Sequence, residues 1–210
     1  MNSKNIDVIL IGCANYLSPY SNLPFVSNDI DKIRQSLIDG LNINASNIML
    51  YKDLTGESID NIFKYFEKYA SKEKMLIFYF SGHGNKPKRK GSSIVLSDNS
   101  PILINDLIKK IDLLKYKNKW FIFDSCYSGQ VFLEETEVKI GEGDIVTCSS
   151  SKDEKSFAND DYTLSYFTEI LCNALTFSNI FENESKSLSD IINLIRVIYN
   201  NKKSKQTLIN

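Results

Sequence analysis

The sequence predicts an α/β fold, a mostly parallel sheet flanked by helices on both faces. Three observations predict it. Short apolar runs of strand length recur along the chain, apolar at consecutive positions as strands buried on both faces must be. Apolar residues spaced by three and four, the mark of amphipathic helices, fall between those runs. The two patterns alternate, the order that builds a layered sheet with helical crossovers.

Asp7 to Gly12 opens the series as a β-branched-rich run ending in glycine. Ile30, Ile33, Leu37 and Leu41 then predict a helix with Asp29 near its start as a candidate cap. Ile48 to Tyr51 is the second strand, and Ile59, Ile62, Phe63 and Phe66 mark a second helix with Ser58 near its start. Met75 to Phe80 is the third strand, and a helix over Ile104 to Leu114 follows Pro101. Trp120 to Phe123 and Ile145 to Cys148 are the last strands, and Leu164 to Ala174 and Leu188 to Tyr199 the last helices, with Ser187 or Ser189 available to cap the latter. Polar clusters at Ser18 to Asn22, Asn85 to Ser93, Ser128 to Gly143 and Ser149 to Asp161 read as loops. No linker or internal repeat divides the chain.

The composition sets limits on function. At 210 residues, 42% apolar and 24% charged, the chain is expected to form one domain, 1–210, burying about 70% of its unfolded surface. With 25 basic and 26 acidic residues the net charge is -1, so no overall field attracts nucleic acid or an anionic membrane. The longest apolar runs fall far short of the ~20 residues of a membrane span. The N-terminus lacks the apolar core and cleavage site of a secretory signal, and a cytoplasmic location is expected. Cys13, Cys126, Cys148 and Cys172 are separated by 113, 22 and 24 residues, which is neither a disulfide framework nor a zinc ligand pattern, and with one histidine no metal site is expected. The basic turn holding Lys86, Lys88, Arg89 and Lys90 reads as a solvated hairpin tip, and the run Lys202, Lys203, Lys205 as solvated charge.

His83, the single histidine, lies in Ser81-Gly82-His83-Gly84-Asn85 directly after the third strand, and Cys126 lies in Asp124-Ser125-Cys126-Tyr127-Ser128-Gly129 directly after the fourth. Ligands of open α/β sheets bind at the carboxyl ends of strands, and neighbouring parallel strands would unite these two ends although 43 residues separate them. Gly82 and Gly84 allow a sharp turn, a close approach to substrate and an unhindered N–H facing a developing oxyanion. A thiol within reach of an imidazole is the minimum for acyl transfer: the thiolate attacks a carbonyl, the imidazole protonates the departing amine, and water releases the acyl group. A nucleotide-binding domain would instead need a phosphate loop, and Gly82-x-Gly84 has neither the further glycine nor the Lys-Ser/Thr pair.

Phe78-Tyr79-Phe80-Ser81-Gly82-His83-Gly84 and Phe123-Asp124-Ser125-Cys126-Tyr127-Ser128-Gly129 resemble the histidine and cysteine boxes of the caspase, metacaspase and paracaspase clan. Asp124 and Ser125 depart from the Gln-Ala of the caspase cysteine signature and are similar to metacaspases and their prokaryotic relatives. The resemblance extends through Ile6 to Gly12, Leu23 to Asp29, Ser149 to Glu154 and Ser165 to Thr168, and so covers essentially the whole chain. It implies a caspase-like, mostly parallel sheet of about six strands. It implies a part resembling the large subunit, 1–135, carrying the His/Cys dyad, and a part resembling the small subunit, 143–210. By it Cys126 is the nucleophile and His83 the general acid/base, the N–H groups of Gly84 and Cys126 form the oxyanion hole, and no third orienting side chain is evident. Clostripain-, legumain- and separase-like peptidases share the His-then-Cys order, but the Asp-Ser-Cys-x-Ser-Gly box and the length favour the caspase-like branch. A catalytically silent scaffold is the alternative from another class, and here both dyad members are present.

The same resemblance points to an acidic specificity pocket. Asp124 and Asp29 match positions where metacaspases and paracaspases carry pocket acids, and a third acid is expected at Asp153 or Glu154. Converging carboxylates favour a guanidinium over an ammonium, so cleavage after Arg, then Lys, is expected, on a protein or peptide substrate. Bare acids beside the thiol would raise its pKa. Asn85 to Lys90 is basic where calcium-dependent metacaspases hold acids, so neither calcium nor another cofactor is expected. Val131 to Gly143 is short for an excised linker, and autoprocessing, at Lys139 for example, is not indicated. Trigger sensing would fall to a separate sensor or effector protein, and regulated proteolysis in cell death or antiviral defence is the association the fold suggests.

Overall fold

The structure is a computed structural model that describes residues 5–86, 91–129, 141–150, 158–159, 161–177 and 188–201. Five strands, β1 (Ile6–Gly12), β2 (Ile48–Lys52), β3 (Met75–Ser81), β7 (Asn118–Asp124) and β8 (Ile145–Cys148), pair in parallel in the order β2-β1-β3-β7-β8. They coincide with the five apolar runs; the sixth strand implied by the resemblance is not among the described residues. The helices are α1 (Phe25–Leu41), α2 (Gly56–Tyr69), α3 (Ile104–Asp112), α4 (Tyr166–Phe177) and α5 (Leu188–Asn201).

Both faces of the sheet are covered, which is why its strands read as unbroken apolar runs. Alternate residues of each strand point to opposite faces. Ile9, Ile11, Phe78 and Phe80 pack with Ile62, Phe63 and Phe66 of α2 and Leu107 and Ile108 of α3. Val8, Leu10, Ile77 and Tyr79 pack with Ile30, Ile33 and Leu37 of α1, Phe167 and Leu171 of α4 and Ile195 of α5.

Two helix starts differ from the sequence reading. α1 begins at Phe25 behind Pro24, whose fixed φ suits a helix start, so Asp29 lies a full turn inside the helix, buried, and is no cap. α2 begins at Gly56 after Thr55, whose Oγ1 lies 3.0 Å from Ser58 Oγ, so Ser58 belongs to the first turn. β4 (Gly84–Asn85) and β5 (Ser93–Val95), on either side of the segment read as a hairpin tip, of which residues 87–90 lie outside the described residues, belong with β6 (Pro101–Leu103) to a second, antiparallel sheet, order β4-β5-β6. Pro101 sits on an edge strand of it, where a missing N–H costs no ladder bond.

Polar ties close the amino edge of the main sheet. Lys119 Nζ donates to Asp112 Oδ1 at 2.9 Å and to Asp144 Oδ2 at 3.4 Å, and Asp7 Oδ1 and Oδ2 accept from Lys74 Nζ at 3.0 and 3.1 Å. On one face, α1 and α4 approach so closely at Gly40 that a Cβ there would lie 2.3 Å from the Leu175 carbonyl oxygen. That contact sets the spacing of the two helices that bring Asp29 and Thr168 to the site. Gly40→Ala, which would favour an isolated helix by ~1 kcal/mol, is therefore expected to destabilise the protein by about 1–3 kcal/mol in urea unfolding, because backbone must move to admit the methyl group.

Candidate active site

The site is built on the register of β3 against β7. Ser81 pairs with Asp124, and the Gly82 N–H continues the contact to the Asp124 carbonyl at 3.3 Å. Beyond that point the chains diverge. The His83 carbonyl accepts from the Val95 N–H at 2.9 Å, which starts the second sheet. A Cβ on Gly84 would lie 2.0 Å from the Cys126 carbonyl oxygen and 3.0 Å from the Cys126 nitrogen, so the two backbones touch and only glycine fits. The histidine and cysteine motifs are thus brought together. The Val95-to-His83 bond also makes Gly84–Ile94 a non-hydrogen-bonded pair, which directs the Gly84 N–H away from β5.

His83 is held from several sides by the loop that follows β1. Its Nε2 lies 2.8 Å from the Ser21 carbonyl oxygen. A carbonyl only accepts, so Nε2 carries the proton and the neutral ring keeps its lone pair on Nδ1. The ring meets Tyr16 edge-on at 4.7 Å between centroids and Tyr20 at 5.1 Å. The His83 N–H donates to the Tyr16 hydroxyl at 2.9 Å, which donates onward to the Val95 carbonyl at 3.1 Å. The loop is itself anchored by Asp53, whose carboxylate accepts from the Ala14 N–H at 2.7 Å, the Asn15 N–H at 2.9 Å, Asn15 Nδ2 at 2.6 Å and Ser97 Oγ at 3.2 Å. The sequence offered no orienting side chain for His83; the ring's orienting partner is a main-chain carbonyl, which no side-chain motif announces.

Cys126 is the one cysteine of the four that is not buried. Burial pushes the thiols of Cys13, Cys148 and Cys172 up to about 11, 12 and 12, far from reactivity at neutral pH. The turn after Cys126 is tied to the end of β8: the Gly129 N–H donates to the Ser150 carbonyl and Ser150 Oγ to the Ser125 carbonyl, each at 2.9 Å. Tyr127 adopts φ 60°, a left-handed conformation that costs a side-chain-bearing residue ~1–2 kcal/mol and turns the chain sharply beside the sulfur.

A buried pair of acids lies at the same sheet edge. Asp29 Oδ2 accepts from Ser81 Oγ at 2.9 Å and Oδ1 from the Ser165 N–H at 2.7 Å. Asp124 Oδ2 accepts from Ser165 Oγ and, at 2.8 Å, from Thr168 Oγ1, which lies 2.5 Å from the Tyr79 hydroxyl. Ser165, immediately before α4, therefore bridges both carboxylates, one through its N–H and the other through its hydroxyl. Burial foremost, and then the neighbouring Asp124 charge, push the Asp29 carboxyl up to about 8, against the lowering effect of its two donors. Asp29 and Asp124 converge, hydrogen-bonded rather than bare; Asp153 and Glu154 lie outside the described residues. Ser81, Ser165 and Thr168 stand within segments noted in the sequence without an assigned role, because a hydroxyl gains one only when the fold supplies its acceptor. Among the described residues no three His, Cys, Asp or Glu side chains converge as a metal site requires.

A part-exposed cysteine and a glycine-flanked histidine, their motifs in backbone contact at the carboxyl edge of a parallel sheet, are the residue types a thiol hydrolase uses. The comparisons narrow that class. The family profile described as Caspase domain matches residues 8–207, and the chain belongs to that family. It is a caspase-like cysteine protease. Caspase-1 from Spodoptera frugiperda superposes with a TM-score of 0.72 over 99% of this chain and 86% of that one, at 12% sequence identity, a likeness of fold. No curated protein sequence matches the chain.

The raised carboxyl of Asp29 gives a signed expectation. A carboxyl whose folded value exceeds its unfolded one contributes stability that is full below the unfolded value and is lost as pH rises through the folded value. Asp29→Asn keeps an acceptor for the Ser165 N–H and carries no charge. Its melting temperature relative to wild type is therefore expected to rise steadily between about pH 4 and about pH 8, read by calorimetry across that range.

Proposed function

We propose that the protein is a cysteine endopeptidase with a Cys126–His83 dyad, cleaving peptide bonds after basic residues, arginine before lysine. The observation that carries this reading is the contact of the Gly84 backbone with Cys126, which sets the only histidine beside the only unburied cysteine. His83 Nδ1 takes the thiol proton, and the sulfur attacks the carbonyl carbon of the scissile bond. The oxyanion accepts from the N–H groups of Gly84 and Cys126. The imidazolium, steadied by the Ser21 carbonyl on Nε2, gives its proton to the amine nitrogen as the C–N bond breaks. Water then attacks the thioester while His83 takes its proton, and the acid product leaves with the thiol restored.

Asp29 and Asp124 are the proposed anchors for the residue before the cleaved bond. Two carboxylates offered side by side match the fork of a guanidinium better than the point charge of an ammonium. A cation is held by the ionised acid, so activity on arginine substrates should climb with pH towards about 8, where Asp29 gives up its proton. Asp153 or Glu154 would supply the third acid. We read 1–210 as a single catalytic domain, with 1–135 carrying the dyad and 143–210 the counterpart of a small subunit. It would work in the cytoplasm without metal or cofactor, under a separate sensor or effector protein, in regulated proteolysis linked to cell death or defence.

The test is a fluorogenic panel with Arg, Lys or Asp before the leaving group. Turnover is expected on Arg, weaker on Lys and absent on Asp, and lost in Cys126→Ala and His83→Ala. Turnover on Asp alone would refute the pocket assignment, and turnover surviving Cys126→Ala would refute the mechanism. Asp124→Asn is expected to lower kcat/KM on Arg about 100-fold, the ~3 kcal/mol of a charge-assisted hydrogen bond.

A further inference from the structure

We propose that Tyr16 is a positioning residue of the catalytic centre: its hydroxyl, between the His83 N–H and the Val95 carbonyl, fixes the backbone from which the imidazole reaches Cys126. The inference rests on His83 being the acid/base. Three observations converge on it. The hydroxyl accepts from His83 and donates to Val95, so both of its roles are committed. The tyrosine ring packs edge-on against the imidazole at 4.7 Å, so one side chain holds His83 by main chain and by ring. The hydroxyl also sits over Gly82, where a Cβ would lie 2.6 Å from it, so the glycine leaves room for the tyrosine and the tyrosine fills it.

Tyr16 is held in turn. Its N–H donates to Asn22 Oδ1 at 2.9 Å, closing the loop whose Ser21 carbonyl accepts from the His83 Nε2–H. Burial raises the Tyr16 hydroxyl far above neutrality, so it stays protonated and able to donate. The Val95 N–H bond to the His83 carbonyl survives loss of this hydroxyl, so the strand pairing persists while the histidine gains freedom. Such a loss bears on the proton-transfer geometry rather than on substrate affinity.

The chain has one histidine, so its imidazole resonances identify themselves. We would measure imidazole 15N spectra against pH, and kcat and KM per titrated active thiol, for wild type, Tyr16→Phe, Asn22→Ala and Tyr116→Phe. Tyr16→Phe is expected to lower kcat roughly tenfold with KM within about twofold, and to shift the imidazole signals and their titration midpoint. Asn22→Ala, an exposed change that leaves folding intact, is expected to act in the same direction by about threefold. Tyr116→Phe removes a buried hydroxyl bonded to Asp7 at the opposite edge of the sheet and is expected to leave kcat and the imidazole unchanged. Unaltered imidazole titration and kcat in both Tyr16→Phe and Asn22→Ala would overturn the proposal, as would an equal loss of kcat in Tyr116→Phe. Should Tyr16→Phe fail to fold, Asn22→Ala decides. If wild type cleaves no peptide, the peptidase reading fails, and the imidazole spectra alone decide whether Tyr16 fixes His83.

Discussion

The pairing of β3 with β7 is the constraint on which the rest depends. These strands lie in register with Ser81 opposite Asp124, and both the histidine and the cysteine motif are counted from that pair. Two residues beyond Ser81 comes His83, and two beyond Asp124 comes Cys126. A slip of one residue would exchange the faces of every side chain on one strand. It would bury the wrong set against the helices and carry Gly84 away from the Cys126 backbone it now touches. The hydrophobic core enforces the register: Phe78 and Phe80 must face α2 and α3 while Tyr79 faces α1 and α4. The energy that fixes the chemistry is thus the energy that holds the sheet.

A second dependence runs through the acids. Asp29 comes from α1, Ser81 and Tyr79 from β3, Asp124 from β7, Ser165 from the entry to α4 and Thr168 from within it, and one hydrogen-bonded network joins them. Burying two carboxylates side by side is costly, and the surrounding hydroxyls and N–H offset that cost only in part, as the raised Asp29 shows. A core filled with apolar residues of similar shape would be more stable. Under the peptidase reading the arriving cation removes the conflict, so that a feature unfavourable to the empty protein becomes selectivity for its substrate. The close approach of α1 and α4 at Gly40 belongs to the same arrangement, since it keeps the Ser165 N–H at the entry to α4 within reach of Asp29 on α1.

Much of this was legible in the residues. The five strands could be found because burial on both faces leaves uninterrupted apolar runs, and the helices because burial on one face leaves a stripe. The histidine and cysteine motifs stood out because two reactive side chains both follow such runs. The second sheet escaped because β4, β5 and β6 hold only two or three residues each, too few for any periodicity. From its position alone Asp29 also suited a cap, since an acid near a helix start is often one; its burial depends on α4, more than a hundred residues away. The holding of His83 was hidden for a further reason. Its partners are the carbonyl of Ser21 and the hydroxyl of Tyr16, in a loop whose course is set by Asp53, and main-chain groups have no sequence signature. The tie between the turn after Cys126 and Ser150 was hidden likewise, since serines in a polar stretch read as loop.

The central claim is that thiol, imidazole and acid pair act on one bound peptide. A crystal structure of the protein with a peptide aldehyde ending in arginine tests it most directly. The account predicts a bond from Cys126 Sγ to the aldehyde carbon, the resulting oxygen within hydrogen-bond distance of the Gly84 and Cys126 nitrogens, and the guanidinium on Asp29 and Asp124. An adduct on any other residue, or an arginine side chain directed into solvent with the two acids still closed on Ser165, would contradict it.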